Sequence, residues 1–202
     1  AIPSLKVADS LYNAGQIAAL CKKAAKAGVQ IITFPETCMS GYTCGDLFLQ
    51  STLLNETEEA LSKLLKETKK LDLIIIIGMP VNAGAQLANC AIVIYKGKIL
   101  GAVPKTYLPN YKEFYEKRYF IPANNLLQEK ITLCGQNVPL STKLLFKAGP
   151  AIFACEICED LWAPVSPSSI AALNGANLIF NLSGSDELAG KNDYRKNLLS
   201  VH

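Results

Sequence analysis

The segment VQIITFPE, residues 29–36, reads as a continuous buried strand that Pro35 ends and that delivers a carboxylate, Glu36, just beyond it. Upstream, Ser10 reads as a helix N-cap. Leu11, Ala14, Ile17, Ala18, Cys21 and Ala25 follow at helical spacing, and Gly28 supplies the stop. Downstream, residues 53–71 carry Leu61, Leu64, Leu65 and Leu71 on one helical face, and 73–81 is a second buried strand. Residues 88–95 and 98–104 form a hairpin across Lys96-Gly97. A long aromatic and charged loop then fills 105–121. Short strands at 131–133 and 144–146, a buried strand at 152–158, a helix at 166–173, a buried strand at 178–182 and a helix from 193 to 201 follow. The opening Ala1-Ile2-Pro3 reads as the tail of a strand. This order, βα βα ββ ββ βαβα, is that of a mixed α/β sheet system. With no repeat, linker or low-complexity tract, one domain over 1–202 is expected.

Composition narrows the class. Of 202 residues, 50% are hydrophobic and 18% charged, which is the composition of a packed core and not of a disordered chain. The net charge is only +3, and pairs such as Lys22-Lys23 and Lys69-Lys70 read as solvated helix faces, so no basic stripe for nucleic acid is expected. The longest apolar run, 73–81, falls far short of the ~20 residues that span a bilayer. No signal peptide opens the sequence, so its seven cysteines are expected as reduced thiols in the cytoplasm and not as a disulfide framework. The chain lacks an initiating Met and stops at His202 inside a helical pattern, so both ends are expected to be cuts in a longer protein.

The most useful chemical observation is an absence. The single histidine is His202, so a Cys-His pair or a Ser-His-Asp triad is not expected, and a thiol or hydroxyl nucleophile must take a carboxylate or lysine as its base. Metal chemistry is poorly supplied too, with neither paired CxxC motifs nor histidine ligands. Three strands end in a reactive side chain: 29–34 leads to Glu36, 98–104 to Lys105, and 152–157 to Cys158. Strand carboxyl ends are where α/β sheets place their ligand crevices. A carboxylate to deprotonate, a thiol to attack and an ammonium to hold an oxyanion would together cleave an amide. Singly, each also reads as something ordinary: a capping carboxylate, a solvated lysine, a packing thiol.

Two other motifs are set aside. Cys155-Glu156-Ile157-Cys158 is nominally a redox CxxC, but positions three apart on a strand face opposite ways, so the sulfurs are not expected to meet. The run from Gly184 to Lys191 has five residues between its glycines and Asn192 after its lysine, which breaks the phosphate-loop pattern.

At these residues the sequence resembles the nitrilase, or carbon–nitrogen hydrolase, superfamily, and within it the glutaminase domains of glutamine-dependent NAD synthetases. The matching segments are FPETCMSGYTCGDLF (34–48), PKTYLPNYKEFYEKRYF (104–120), EICEDLW (156–162) and NLSGSDELAGKNDYRKNLL (181–199). The resemblance implies a four-layer αββα sandwich, incomplete at its C-terminal end, with a catalytic triad at Glu36, Lys105 and Cys158 and a second carboxylate, Glu116, supporting the lysine. It implies glutamine as substrate, contacted by Tyr111, Glu159, Ser185 and, more weakly, Lys191, and needs no metal or organic cofactor. ATP and Mg2+ would belong to a C-terminal synthetase domain absent from these residues, since Ser183-Gly184-Ser185-Asp186 is too short for that domain's SGGxDS loop. Family members assemble into homo-oligomers, and the resemblance implies the same. Asp186 departs from the family, where proline commonly follows the serine. A stand-alone amidase for another small amide, and an inactive scaffold, are the alternatives.

Overall fold

The computed structural model describes residues 1–201, so His202, with which the predicted terminal helix breaks off, lies outside the described residues. The elements are α1 (Ser10–Lys26), β1 (Ile31–Thr33), α2 (Ser51–Thr68), β2 (Ile74–Ala83), β3 (Gln86–Tyr95) and β4 (Lys98–Pro104). They continue with β5 (Asn110–Tyr111), β6 (Phe114–Tyr115), β7 (Lys130–Leu133), β8 (Gln136–Pro139), β9 (Phe146–Ala148) and β10 (Ala151–Ile157). The chain closes with α3 (Pro167–Leu173), β11 (Leu178–Leu182) and α4 (Lys191–Val201). No helix among the described residues is long and apolar enough to cross a membrane.

Two sheets pack face to face between helices. The first runs β1-β2-β3-β4, with β1 and β2 parallel and the rest antiparallel; the second runs β11-β10-β9, with β10 and β11 parallel. The period-two alternation of β2 sorts its isoleucines between two cores. Ile75, Ile77 and Met79 join Ile17 and Cys21 of α1 and Leu61 and Leu64 of α2 on one face. Ile76 turns the other way, with Ala91, Val93 and Val103, against Phe146, Phe153, Cys155 and Ile157 of the second sheet. Each such fully buried large side chain stabilises the fold by ~1.5–3 kcal/mol. On the outer face of the second sheet, α3 is seated by Ser168, whose N–H donates to Glu156 Oε2 at 3.0 Å. The result is the helix–sheet–sheet–helix sandwich that the resemblance implies and the element order permits.

Several predicted boundaries shift for local reasons. Asp9, not Ser10, caps α1: its carboxylate accepts from the Tyr12 N–H at 3.0 Å. Ser10 is inside the first turn, its hydroxyl 2.9 Å from that of Thr57. Residues 1–3 form no strand, although the Ala1 amine donates to the Thr33 carbonyl at 2.7 Å beside β1. The strand expected at 144–146 is displaced to β9, because its register on β10 is fixed by the turn at Gly149-Pro150. β8, with Gln136, Asn137 and Pro139, carries no apolar run for a sequence reading to register; it is held by pairing with β7 across Cys134-Gly135 and by the burial of Val138. The 105–121 loop holds the small β5–β6 hairpin and a 3₁₀ turn at Glu116–Arg118.

One glycine decides where the first reactive turn can lie. A Cβ on Gly78 of β2 would sit 2.4 Å from the Thr37 nitrogen and 2.7 Å from the Pro35 carbonyl oxygen. Its own carbonyl accepts from the Met39 N–H at 3.1 Å. The turn carrying Glu36 therefore rests directly on the strand backbone. Gly78→Ala is expected to lower stability by ~1–3 kcal/mol, the cost of overpacking. Urea unfolding would read this as a lower midpoint at unchanged slope; an unchanged midpoint would mean the turn is free to move away.

Candidate active site

Glu36 follows β1 in a tight turn whose next residue, Thr37, has φ +47°. That left-handed conformation is rare for a β-branched residue and costs on the order of 1–3 kcal/mol. It aims the Glu36 carboxylate inward, where the side chain is 2% exposed and both oxygens are engaged. Oε1 accepts from Lys105 Nζ and from Asn89 Nδ2, each at 2.7 Å, and Oε2 accepts from the Gly184 N–H at 3.0 Å. A Cβ on Gly184 would lie 3.2 Å from the Tyr42 ring and 3.3 Å from Glu36 Oε2, so a residue without one fits that approach best.

Lys105 stands one residue beyond β4, and its N–H donates to the Asn89 carbonyl of β3 at 2.8 Å. The side chain is 1% exposed, and Nζ donates to Glu36 Oε1 and to Glu116 Oε1, both at 2.7 Å. Burial alone would depress the ammonium pKa, but the charges of Glu36 and Glu116 outweigh it and hold the group firmly protonated. Glu116 Oε1 also accepts from the Tyr42 hydroxyl at 2.7 Å. Burial, then the charge of Glu36, raises the Glu116 pKa against the pull of Lys105.

Cys158 follows β10 at φ +46°, a second left-handed residue that is not glycine. The corner is held by Asp160, whose Oδ2 accepts from the Ile157 N–H at 3.0 Å, and by Asn181, whose Nδ2 reaches the Cys158 carbonyl at 3.4 Å. Because the chain turns here, the strand-facing argument for the CxxC does not hold at Cys158. Cys155 and Cys158 border the same apolar cluster between the sheets, and both are free thiols. Burial pushes the Cys158 thiol up to about 12; the Glu36 charge adds to this, while Lys105 and the Ser183 hydroxyl oppose it. At neutral pH this sulfur is a thiol, not a thiolate.

A cavity of about 340 Å³ is lined by Cys158, Tyr111, Glu159, Ser185 and Lys191 among others. The predicted residues thus fall into two adjoining groups. Glu36, Lys105 and Glu116 are buried, close enough for their charges to act on the thiol, while Tyr111, Glu159, Ser185 and Lys191 face the cavity. The Tyr111 hydroxyl donates to both Glu159 oxygens, at 3.1 and 2.9 Å. Lys191 pairs with Asp186, which lowers the pKa of that carboxyl, and its ammonium lies 5.6 Å from the Trp162 ring centre. Asn89, Tyr42, Asp160 and Gly184 were not picked out from sequence. Asn89 had a signal, being a polar side chain inside the apolar run of β3, which has to find a buried partner. Tyr42 and Asp160 lie in turns where nothing local marks them, and Gly184, noticed only within a broken phosphate-loop pattern, carries no local sign of its bond to Glu36.

Fold and site together define a mixed α/β sandwich of the nitrilase superfamily, with a thiol at a strand-end corner beside a buried carboxylate–ammonium pair. The chain belongs to the carbon-nitrogen hydrolase family, whose model matches residues 1–197. It is similar to the glutamine-dependent NAD(+) synthetase of Mycobacterium tuberculosis, 37% identical over 193 residues that cover 94% of this chain and 28% of that protein. Its fold matches the crystal structure of a glutamine-dependent NAD(+) synthetase from Cytophaga hutchinsonii with a TM-score of 0.84 at 25% identity, over 98% of this chain and 32% of the other. It also matches the fold of a mutant of the Nesterenkonia AN1 amidase from the nitrilase superfamily, with a TM-score of 0.77 at 18% identity, over 99% of this chain and 69% of that one. The chain therefore spans about a third of the length of the synthetases it resembles, or less.

The raised thiol pKa has a direct consequence. Alkylation of Cys158 by a small neutral thiol reagent should accelerate by about tenfold per pH unit between pH 7 and 10 without levelling, because the thiolate fraction grows at that rate below the pKa. A plateau reached below pH 8 would show a thiolate already formed in the resting site.

Proposed function

We propose that this chain hydrolyses the side-chain amide of glutamine to glutamate and ammonia through a thioester on Cys158. The observation that carries the reading is the buried Glu36–Lys105–Glu116 cluster beside a protonated thiol at a cavity wall. A thiol held near 12 cannot attack unaided, so it needs a base in reach, and Glu36 is the carboxylate whose charge acts on it most strongly. Glu36 takes the thiol proton as Sγ attacks the amide carbon, and the carbonyl π electrons move to oxygen. Lys105 has given two of its three N–H bonds to carboxylates and offers the third to that oxyanion, together with the Glu159 backbone N–H. The tetrahedral adduct collapses, the C–N bond breaks, and Glu36 returns its proton to the leaving nitrogen as ammonia. Glu36 then deprotonates a water that attacks the thioester. Collapse of this second adduct releases glutamate and restores the thiol. No step calls for a metal or organic cofactor.

Substrate binding follows from charge. The Glu159 carboxylate, fixed by Tyr111, suits the α-ammonium of glutamine, and Ser185 and Lys191 suit its α-carboxylate. The likeness to glutamine-dependent NAD(+) synthetases supports glutamine specifically. On that reading the ammonia feeds ATP-dependent conversion of deamido-NAD to NAD in a synthetase domain, where ATP and Mg2+ belong, within a cytoplasmic homo-oligomer. One observation favours a second reading. Asp186 already neutralises Lys191, which weakens carboxylate recognition and suits a smaller neutral amide.

In a glutaminase assay Cys158→Ala and Glu36→Gln should abolish turnover. Lys105→Ala should lower kcat by ~10²–10³, the scale of a lost oxyanion donor. Undiminished glutamine hydrolysis by a verified Cys158→Ala protein would overturn the mechanism. If a short aliphatic amide is turned over and glutamine is not, the second reading replaces the first.

A further inference from the structure

Lys105 and Cys158 stand on different sheets, one beyond β4 and the other beyond β10. Those sheets meet through apolar side chains such as Val103, Phe153 and Ile157. Such contacts press the layers together but have no direction. Amide attack is less forgiving, since a shift of about 1 Å in a reacting group can cost ~10²-fold in rate. Something directional must set the position of one strand end against the other.

Asp160 has the geometry to do so. The residue is 1% exposed, in the 3₁₀ turn that begins at Cys158. Oδ1 accepts from the backbone N–H groups of Thr106 at 3.0 Å and Tyr107 at 2.8 Å, and Oδ2 accepts from that of Ile157 at 3.0 Å. The donors bracket the reactive residues: Ile157 immediately precedes Cys158, and Thr106 immediately follows Lys105. One rigid carboxylate thus joins the loop that carries the ammonium to the corner that carries the thiol. Burial pushes the Asp160 carboxyl up to about 7, and Glu156 adds to the rise, while the Tyr107 and Ile157 N–H groups and the Lys105 charge favour its ionised, fully accepting form. Backbone amides are donors at any pH, so both oxygens must accept for all three bonds to stand.

We propose that Asp160 is a positioning residue for amide cleavage, fixing the Lys105 ammonium and the Cys158 thiol in register across the two sheets. The inference rests on the reading of this site as a cysteine amidohydrolase. It assigns Asp160 an effect on the chemical step and little on substrate affinity, since its bonds go to backbone and none to the cavity wall. Loosening the clamp should therefore lower kcat and leave KM almost alone.

The test compares Asp160→Ala, which removes all three acceptor contacts, with Asp160→Asn, which keeps an oxygen for Thr106 and Tyr107 and sets an NH2 group against the Ile157 N–H. The Ala variant should lose roughly 100-fold in kcat, with KM within about threefold of the parent, and the Asn variant should recover at least about tenfold of that loss. Parent-like kcat in the Ala variant, or a loss expressed mainly in KM, would overturn the proposal. So would unfolding of both variants by circular dichroism, which would make Asp160 a purely structural residue. If the parent chain hydrolyses no glutamine, the functional reading fails separately, and hydrogen exchange then tests the clamp itself. The Thr106 and Tyr107 amides should exchange at least about tenfold faster in the Ala variant, and unchanged exchange would refute the clamp.

Discussion

The structure turns on one buried ammonium. Lys105, 1% exposed between two sheets, would cost several kcal/mol to hold there alone, and removing one partner of such a buried pair costs ~3–5 kcal/mol. Glu36 and Glu116 therefore come with it, each 2.7 Å away. The carboxylates bring their own needs. Asn89 and the Gly184 N–H satisfy Glu36, and the Tyr42 hydroxyl adds a second donor to Glu116 Oε1, while Glu116 Oε2 is left buried with no hydrogen-bond partner among the described residues. Residues from β3, from the loop after β11 and from the turn after β1 are thus tied to a single charge. Two carboxylates sharing one cation also leave a surplus of negative charge. That surplus adds to burial in raising both Glu116 and the Cys158 thiol.

Among the described residues, two of the six left-handed residues that are not glycine adjoin the same cluster. Thr37 and Cys158 both take positive φ next to, or at, a reactive group, and neither is glycine. Glycine would relax the strain but would supply no thiol at the second corner. At the first, the turn is pressed onto Gly78, so the space is made by the strand and the side chain is kept in the turn. Strain at both corners is carried by the packing of the sheets behind them. A protonated thiol within reach of the Glu36 charge is the outcome, and it avoids holding an unpaired thiolate in a largely apolar wall.

Much of this was legible in the sequence, for identifiable reasons. The isoleucine run of β2, the apolar spacing of α1 and α2 and the Lys96-Gly97 turn carry strong periodic signals, and those elements stand where predicted within a few residues. Glu36, Lys105 and Cys158 drew notice because each terminates a strand. Two of the failures share a cause, which is dependence on a distant partner. β8 has no apolar pattern and is held by pairing with β7 and by the burial of its single apolar core residue, Val138. Asp160 resembles any acidic residue in a turn until Thr106 and Tyr107 arrive from more than fifty positions away. The left-handed turn at Cys158 is hidden because the usual marker of such a turn, glycine, is missing, although Cys155 and Cys158 stay unpaired as the sequence predicts.

The most direct test of the central claim is peptide mapping by mass after exposure to a glutamine-mimicking electrophile, with and without excess glutamine. A single adduct on Cys158, suppressed by glutamine and sparing the other six cysteines, is the expected result. Labelling spread over several cysteines, or an adduct on Cys158 that glutamine does not protect, would contradict the assignment of this cavity to glutamine.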